Sequence, residues 1–323
     1  MTSTFYPKPD PPPQSDSVAV RSRRLCKHYG DIVALEDLSL EVPFGAFVGL
    51  LGPNGSGKTT SMHCLTTLVE PTDGSAWVAG HAIRSAGVAI RRDIGVVFQN
   101  PALDPSLTVQ ETLAFAAAIR GLPRRISHER AEAMLAMFQL EGKRDLRVGT
   151  LSGGMRRALD IARSVIHRPR ILFLDEPTLG LDVPNRRRIW DHIARLRREE
   201  GATVLFTTHY LEEAEGCDTV HFLAGGRIVG SGSPRELIAR MGAQMLEIEA
   251  DDIEATAHAL RLELGPGFRQ GDRALFRLTS SRGEVASMLR SLPPDLRSVR
   301  RRRPTLDDVF VWMTHPELRG ELL

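Results

Sequence analysis

At 323 residues the chain is longer than a typical single domain, and one large plus one small domain is the natural expectation. Apolar residues make up 42% and charged residues 25%, as in ordinary globular proteins, and a formal charge of +2 demands no polyanionic partner. Three scattered cysteines (Cys26, Cys64, Cys217), with no CxxC pair, exclude a disulfide framework or a zinc site and fit a reducing cytosol.

No apolar run approaches the roughly 18 residues needed to cross a bilayer, and the N-terminus lacks the apolar core of a signal peptide. Action at a membrane would leave the spanning to another chain. Residues 1–17 hold five prolines and little to bury, which predicts a disordered tail. From Val18 to about Leu237 short apolar strands alternate with helical stretches, the pattern of an α/β domain with parallel strands. The runs AFVGLL (46–51), RILFL (170–174) and TVLFT (203–207) are too short for buried helices and predict buried central strands, as does IGVVF before Gln99. Met62, Leu65, Leu68 and Val69 recur at helical spacing after the first of these runs. MRRALDIARSVI shows the same spacing, and Ile189, Ile193 and Leu196 form one apolar stripe in NRRRIWDHIARLRREE. Near Met241 the character changes. Strands at QMLEIEA, ALFRLT and DLRSVR and helices at IEATAHALRLEL, GEVASMLRSL and TLDDVFVWM predict a small α+β domain over 241–323, behind a main domain over 18–240.

The main domain carries a phosphate cradle. Gly52, Pro53, Asn54, Gly55, Ser56, Gly57, Lys58, Thr59 and Thr60 (GPNGSGKTT) follow a predicted strand and open a predicted helix. Backbone N–H groups at a helix N-terminus favour phosphate, and Gly52 and Gly57 permit close backbone approach. Lys58 would reach the β- and γ-phosphates of a nucleotide such as ATP, and the Thr59 hydroxyl would ligate Mg2+. The strand RILFL ends in Asp175, suited to holding Mg2+ directly or through water, and Glu176, suited to polarising an attacking water. TVLFTTHY repeats this design with His209, placed to donate to the γ-phosphate. Gln99, after IGVVF, could reach the metal or the water. Cys64, in the helix after the cradle, reads as packing.

A second glycine loop, LSGGM (151–155), also precedes a helix but has no lysine. It is either a spare loop or a site for a nucleotide held by another copy of the chain, whose own cradle supplies the lysine. The set GPNGSGKTT, FQNP, LSGGM, LFLDEP, LGLD and TTHY resembles the ATPase subunit of an ATP-binding cassette (ABC) transporter over about Val18 to Leu237.

The resemblance implies a P-loop NTPase fold of the ABC ATPase type, with a mixed sheet core, an antiparallel β subdomain and a helical subdomain. It implies two copies joined head to tail, each ATP lying between the cradle of one and the LSGGM loop of the other. Tyr29 in KHYG would stack on adenine. Ser152, Gly153 and Gly154 would meet the partner's γ-phosphate, and Asp182 in LGLD would sit at the dimer interface. RRRRPTLDDVFVWMT and NPALDPSLTVQETL resemble drug-, antibiotic- and lipid-exporter ATPases similar to the daunorubicin-resistance group. In that group the membrane-spanning permease is a separate chain of the ABC-2 type. The ATPase would then sit peripherally on the cytoplasmic side of the membrane, the coupling helix docking between about Pro101 and Leu140. The alternative is a soluble ABC ATPase of translation, DNA repair or chromosome upkeep, against which stand the single cassette and the short span between Gln99 and LSGGM. The runs Arg300–Arg303 and Arg186–Arg188 lack aromatic interleaving and read as a solvated strand edge and a helix surface, not a nucleic-acid site.

Overall fold

Alternating strands early in the chain and solid apolar runs later call for two kinds of sheet, and the computed structural model, which describes residues 17–265, 267–278 and 296–314, contains both. In chain order come β1 (Val18–Tyr29), β2 (Ile32–Pro43), β3 (Phe47–Leu51), α1 (Lys58–Leu65), β4 (Asp73–Val78), β5 (His81–Ala82), α2 (Gly87–Asp93) and β6 (Ile94–Val97). Then follow α3 (Val109–Ile119), α4 (Arg124–Met137), α5 (Gly153–Val165), β7 (Ile171–Asp175), α6 (Val183–Glu200) and β8 (Thr203–Thr208). The remainder runs β9 (Thr219–Ala224), β10 (Arg227–Gly232), α7 (Pro234–Arg240), β11 (Gln244–Ala250), α8 (Ile253–Leu264), β12 (Gly267–Gln270), β13 (Arg273–Leu278), β14 (Leu296–Arg302) and α9 (Leu306–Thr314).

By contact the described residues divide into two compact units, one reaching to Tyr210 and including Leu223–Ile228, the other made of Leu211–Phe222 and the described residues from Val229 on. The composition shift near residue 241 lies beyond the start of the second unit. The difference arises because α9 draws earlier chain to itself. It packs on α7 and on the turn Leu211–Ala214, and Phe310 meets the Phe222 ring at 5.5 Å.

In the first unit β2, β1, β4 and β5 form an antiparallel sheet in that order, and β3, β8, β7 and β6 pair in parallel. Every residue of β7 and β8 is buried, which is why these strands read as continuous apolar runs rather than alternations. Register aligns Leu51 with Thr208 and Asp175 with Thr207, so the loops after β3, β7 and β8 leave one edge of the sheet together. Leu50, Met62, Leu65, Phe173 and Leu205 lie in one apolar cluster that fixes α1 beside that edge. The helices α3, α4 and α5 pack on one another, and a capping box of Thr108 with Glu111 starts α3. On α6, Ile189, Ile193 and Leu196 are buried as one stripe.

The helix after the cradle is shorter than its apolar spacing suggests. It ends at Leu65, where Thr66 Oγ1 donates back to Met62 O at 2.8 Å and Thr67 turns to φ 62°. Leu68 is therefore left 58% exposed, whereas Val69 packs on the core. Cys64 is buried, and burial pushes its thiol up to about 11, which suits packing rather than chemistry.

The second unit is built on the antiparallel sheet β12–β13–β11–β14, with α8 closing an apolar cluster that includes Leu246, Ile248, Leu260 and Phe276. Trp312 of α9 is fully buried, edge-on to Phe268 at 5.9 Å and under the Arg277 guanidinium at 5.5 Å. The run Arg300–Arg303 lies at the end of the edge strand β14 and does not act as one patch. Arg302 pairs with Glu247 at 2.9 Å and with both carboxylate oxygens of Asp308 at 2.6 and 2.8 Å, and these hydrogen bonds raise its pKa further. The expected helix GEVASMLRSL lies outside the described residues.

His221 on β9 is buried, with Nδ1 2.7 Å from Ser231 Oγ and Nε2 lacking a hydrogen-bond partner. Burial lowers its pKa from 6.5 to about 4. Between those values the unfolded chain binds a proton that the folded chain does not. Its contribution to stability is therefore intact above about pH 6.5 and declines on acidification towards about pH 4, by about 1.4 kcal/mol per pH unit at most. In urea denaturation at pH 7 and pH 5, His221→Gln is expected to lose less stability on acidification than wild type. Equal losses would show that His221 does not carry the slope.

Candidate functional site

In the loop from β3 to α1, two positions have room for glycine only. A Cβ at Gly52 would stand 2.2 Å from Leu223 O, and one at Gly57, with φ 105°, would stand 2.5 Å from Ala34 O. Inside this ring the Ser56 hydroxyl is buried with no partner, and Gly226 N donates to Ser56 O at 3.0 Å from below. Lys58 is buried at the head of α1 and donates to Gly52 O at 2.8 Å and Pro53 O at 3.1 Å. Its third neighbour is Glu176 Oε1 at 3.4 Å. Pro53, Asn54 and Gly55 form the exposed lip of the loop, and Thr59 and Thr60 are half-buried on the first turn of α1.

Asp175 ends β7 fully buried. Its Oδ1 accepts from Thr207 Oγ1 at 2.6 Å and from Thr59 Oγ1 at 3.3 Å, while Oδ2 has no partner. A hydroxyl and a carboxylate with one open oxygen are the hard donors Mg2+ takes, and no cluster of three or more His, Cys, Asp or Glu able to cage a metal exists among the described residues. The donor set thus fits an ion that completes its shell with phosphate and water.

Glu176 follows in a left-handed conformation, φ 45°, which a non-glycine residue holds only when its neighbours enforce it. Its N–H is shared between Thr207 Oγ1 at 3.0 Å and Thr207 O at 3.2 Å, and its carbonyl accepts from Arg157 at 3.2 Å. The effect is to turn the carboxylate between Lys58 and His209, whose Nδ1 lies 3.3 Å from Oε2. The structure therefore brings Lys58, Thr59, Asp175, Glu176 and His209 together at one sheet edge.

Gln99 joins this group through its backbone only: its carbonyl accepts from Arg157 at 2.8 Å, while its side chain is exposed. Tyr29 stands at the end of β1, 45% exposed, with the Lys27 ammonium 4.8 Å from its ring centre. Ser152 caps α5 and accepts from Met155 N at 3.3 Å. Asp182 caps α6 and accepts from Asn185 N at 2.9 Å, and both caps are exposed. These two helix starts adjoin each other, because a Cβ on Gly154 would stand 2.7 Å from the Asn185 side chain and one on Gly153 3.9 Å from Leu181.

Two residues escape a reading by motif. Arg157, buried on α5, donates to Phe98 O at 2.7 Å as well as to Gln99 O and Glu176 O, and so ties the loops after β6 and β7 together. Burial lowers its pKa and raises that of its neighbour Asp160, 3.5 Å away. The available signal was an arginine on the apolar side of MRRALDIARSVI. Thr207 links both carboxylate residues, and only its place in TVLFTTHY hinted at this.

A model of the ABC transporter family matches residues 35–179. The daunorubicin/doxorubicin resistance ATP-binding protein DrrA of Streptomyces peucetius is 37% identical over 319 residues, 92% of this chain and 93% of that protein. The Nod factor export ATP-binding protein I of Cupriavidus pinatubonensis is 37% identical over 300 residues, 92% of this chain and 91% of that protein. Among solved structures, cbiO1 of Clostridium perfringens, part of the ABC transporter complex cbiONQ, aligns with a TM-score of 0.64 and 28% identity over 69% of this chain and 91% of its own. An ATP-binding cassette solved as a dimer in a post-hydrolysis state with ADP and Pi aligns with a TM-score of 0.61 and 29% identity over 66% of this chain and 98% of its own. None of these relatives supports a soluble ATPase of translation or repair. Matched along almost the whole of both chains by drug-resistance and export ATP-binding proteins, and folded as solved ABC cassettes are, the chain belongs to the ABC transporter family as the ATP-binding, ATP-hydrolysing subunit of an exporter.

Proposed function

We propose that hydrolysis is carried by the convergence of Lys58, Asp175, Glu176 and His209 at one sheet edge, and that it powers a separate ABC-2 type permease. Tyr29 offers adenine the ring face that Lys27 does not cover. Lys58 exchanges Gly52 O and Pro53 O for the β- and γ-phosphate oxygens. Thr59 and Asp175 would hold Mg2+, which when bound neutralises phosphate charge, and Gln99 would lie beside it. Glu176, freed from Lys58, accepts a proton from the attacking water, and His209 donates to the γ-phosphate and orients that water. Ser152, Gly153 and Gly154 of a second copy close over the same phosphate, with Asp182 at the seam between the copies.

Residues 18–240 serve as the cassette and 241–323 as an accessory domain. No helix among the described residues is long and apolar enough to cross a membrane. The likeness to export ATP-binding proteins supports a peripheral place on the cytoplasmic side. Phe115 and Ile119, one turn apart on α3 and 60% and 68% exposed, lie in the expected docking segment and suit an apolar coupling helix. Relatives named for daunorubicin resistance and Nod factor export favour a drug, antibiotic or lipid-like cargo moving outward. Nucleic acid has no part in this reading, since Arg302 is committed to Glu247 and Asp308.

Glu176→Gln is expected to slow phosphate release by roughly 100-fold or more while ATP holds the protein as a dimer on size-exclusion chromatography. Turnover near wild type would remove Glu176 from the role of base. For Asp175→Asn, the Mg2+ concentration giving half-maximal turnover should rise by about tenfold, and an unchanged Mg2+ dependence would reject Asp175 as a ligand. Affinity purification from detergent-solubilised native membranes should recover a polytopic permease in roughly equal amount. The Phe115→Asp/Ile119→Asp pair should lose it while the isolated chain keeps its ATPase rate. Full recovery with the variant would move the docking surface elsewhere.

A further inference from the structure

At the carboxyl end of β8 a guanidinium and two rings stand in series. The His209 imidazole lies 4.1 Å, centroid to centroid, from the Tyr210 ring, tilted by 39°. Arg186 Cζ stands 3.9 Å from the centre of the Tyr210 ring, close enough for a cation–π contact. Tyr210 N donates to Thr208 Oγ1 at 2.9 Å, which pins the backbone on which both rings sit. Arg186 belongs to the first turn of α6, and its N–H donates to Asp182 O at 2.9 Å. The hydrolytic roles assigned above use neither Arg186 nor Tyr210.

A histidine at a strand end, touching Glu176 only at 3.3 Å, would otherwise turn freely about its side-chain bonds. A ring packed against it removes most of that freedom, and a cation on the tyrosine holds the ring in turn. We infer that Arg186 and Tyr210 are positioning residues for hydrolysis: Arg186 holds the Tyr210 ring, and the ring holds the His209 imidazole on the line between Glu176 and the γ-phosphate. Because Arg186 shares a helical turn with Asp182, the seam between two copies is joined to this histidine by one short series of contacts. A shift of the α6 start on dimer closure is thereby passed to His209 without crossing the core. The inference rests on the reading of His209 as the γ-phosphate donor.

The test uses the full chain and measures steady-state ATPase kinetics together with histidine-selective NMR of the nucleotide-free protein. Arg186→Met and Tyr210→Leu should each lower kcat by about tenfold while leaving KM for ATP within about twofold. Tyr210→Phe keeps the ring and should stay within about twofold of wild type, and the Arg186→Met/Tyr210→Leu double variant should be no slower than the worse single one. In the NMR spectrum the His209 imidazole signals, identified by their loss in His209→Ala, should shift from their wild-type positions in Arg186→Met and in Tyr210→Leu. They should stay in place in Tyr210→Phe. Wild-type kcat in Arg186→Met, multiplicative losses in the double variant, or unmoved His209 signals would each overturn the inference. His209→Ala turnover at the wild-type rate would instead overturn the reading of His209 itself.

Discussion

Lys58 and Glu176 hold opposite charges 3.4 Å apart with under a tenth of either side chain exposed, and the geometry of the site follows from keeping that pair in place. Two charges removed from water are costly unless they find each other and further polar partners. Lys58 meets this demand with the carbonyls of Gly52 and Pro53, which is possible only because the loop closes back on its own helix start. Glu176 meets it with Lys58 on one oxygen, while its other oxygen lies 3.3 Å from the His209 imidazole. A lysine that already donates to carbonyl oxygens, in a cradle with an unpartnered Ser56 hydroxyl, is arranged for an anion before one arrives.

The sheet supplies what the pair cannot supply for itself. Parallel register sets Asp175 beside Thr207, so one threonine side chain holds the Asp175 carboxylate and the Glu176 N–H at once. That double duty stabilises the left-handed backbone of Glu176, and Arg157 completes it from α5 by taking the Glu176 carbonyl together with those of Phe98 and Gln99. Because Arg157 lies on the helix that begins at Ser152, the second glycine loop is mechanically joined to the carboxylates of its own chain.

The central strands were legible because a strand buried on both faces has no polar alternation to hide it, as β7 and β8 illustrate. Lys58, Asp175, Glu176 and His209 were legible for a different reason: each stands at the end of such a strand or the start of the next helix, within a short linear motif. The strand β10 was not, since RIVGSG is partly exposed throughout and offers no periodicity to read. The true end of α1 was hidden as well. Apolar spacing continues through Leu68, while the Thr66 back-bond and the φ of Thr67 stop the helix. Arg157, Thr207 and Arg186 were missed because their meaning lies in contacts between segments distant along the chain. A pattern within one segment cannot carry that information.

The two glycines of the second loop are glycines for different reasons, and the difference bears on why one site needs two loops. A Cβ at Gly154 would stand 2.7 Å from the Asn185 side chain, so a side chain there would require Asn185 to turn aside. At Gly153 the nearest neighbour of a Cβ is Leu181 at 3.9 Å, an ordinary contact, so nothing within the chain excludes a side chain there. Next to it, Ser152 is exposed at the N-terminus of α5, the end of a helix whose first N–H groups have no carbonyl one turn back to bond. A bare backbone at an exposed helix start is best accounted for by an anion that approaches from outside the chain. On the proposed head-to-tail pairing, the nucleotide of the second copy would be the anion that meets this requirement, and the lysine missing from LSGGM would arrive with it.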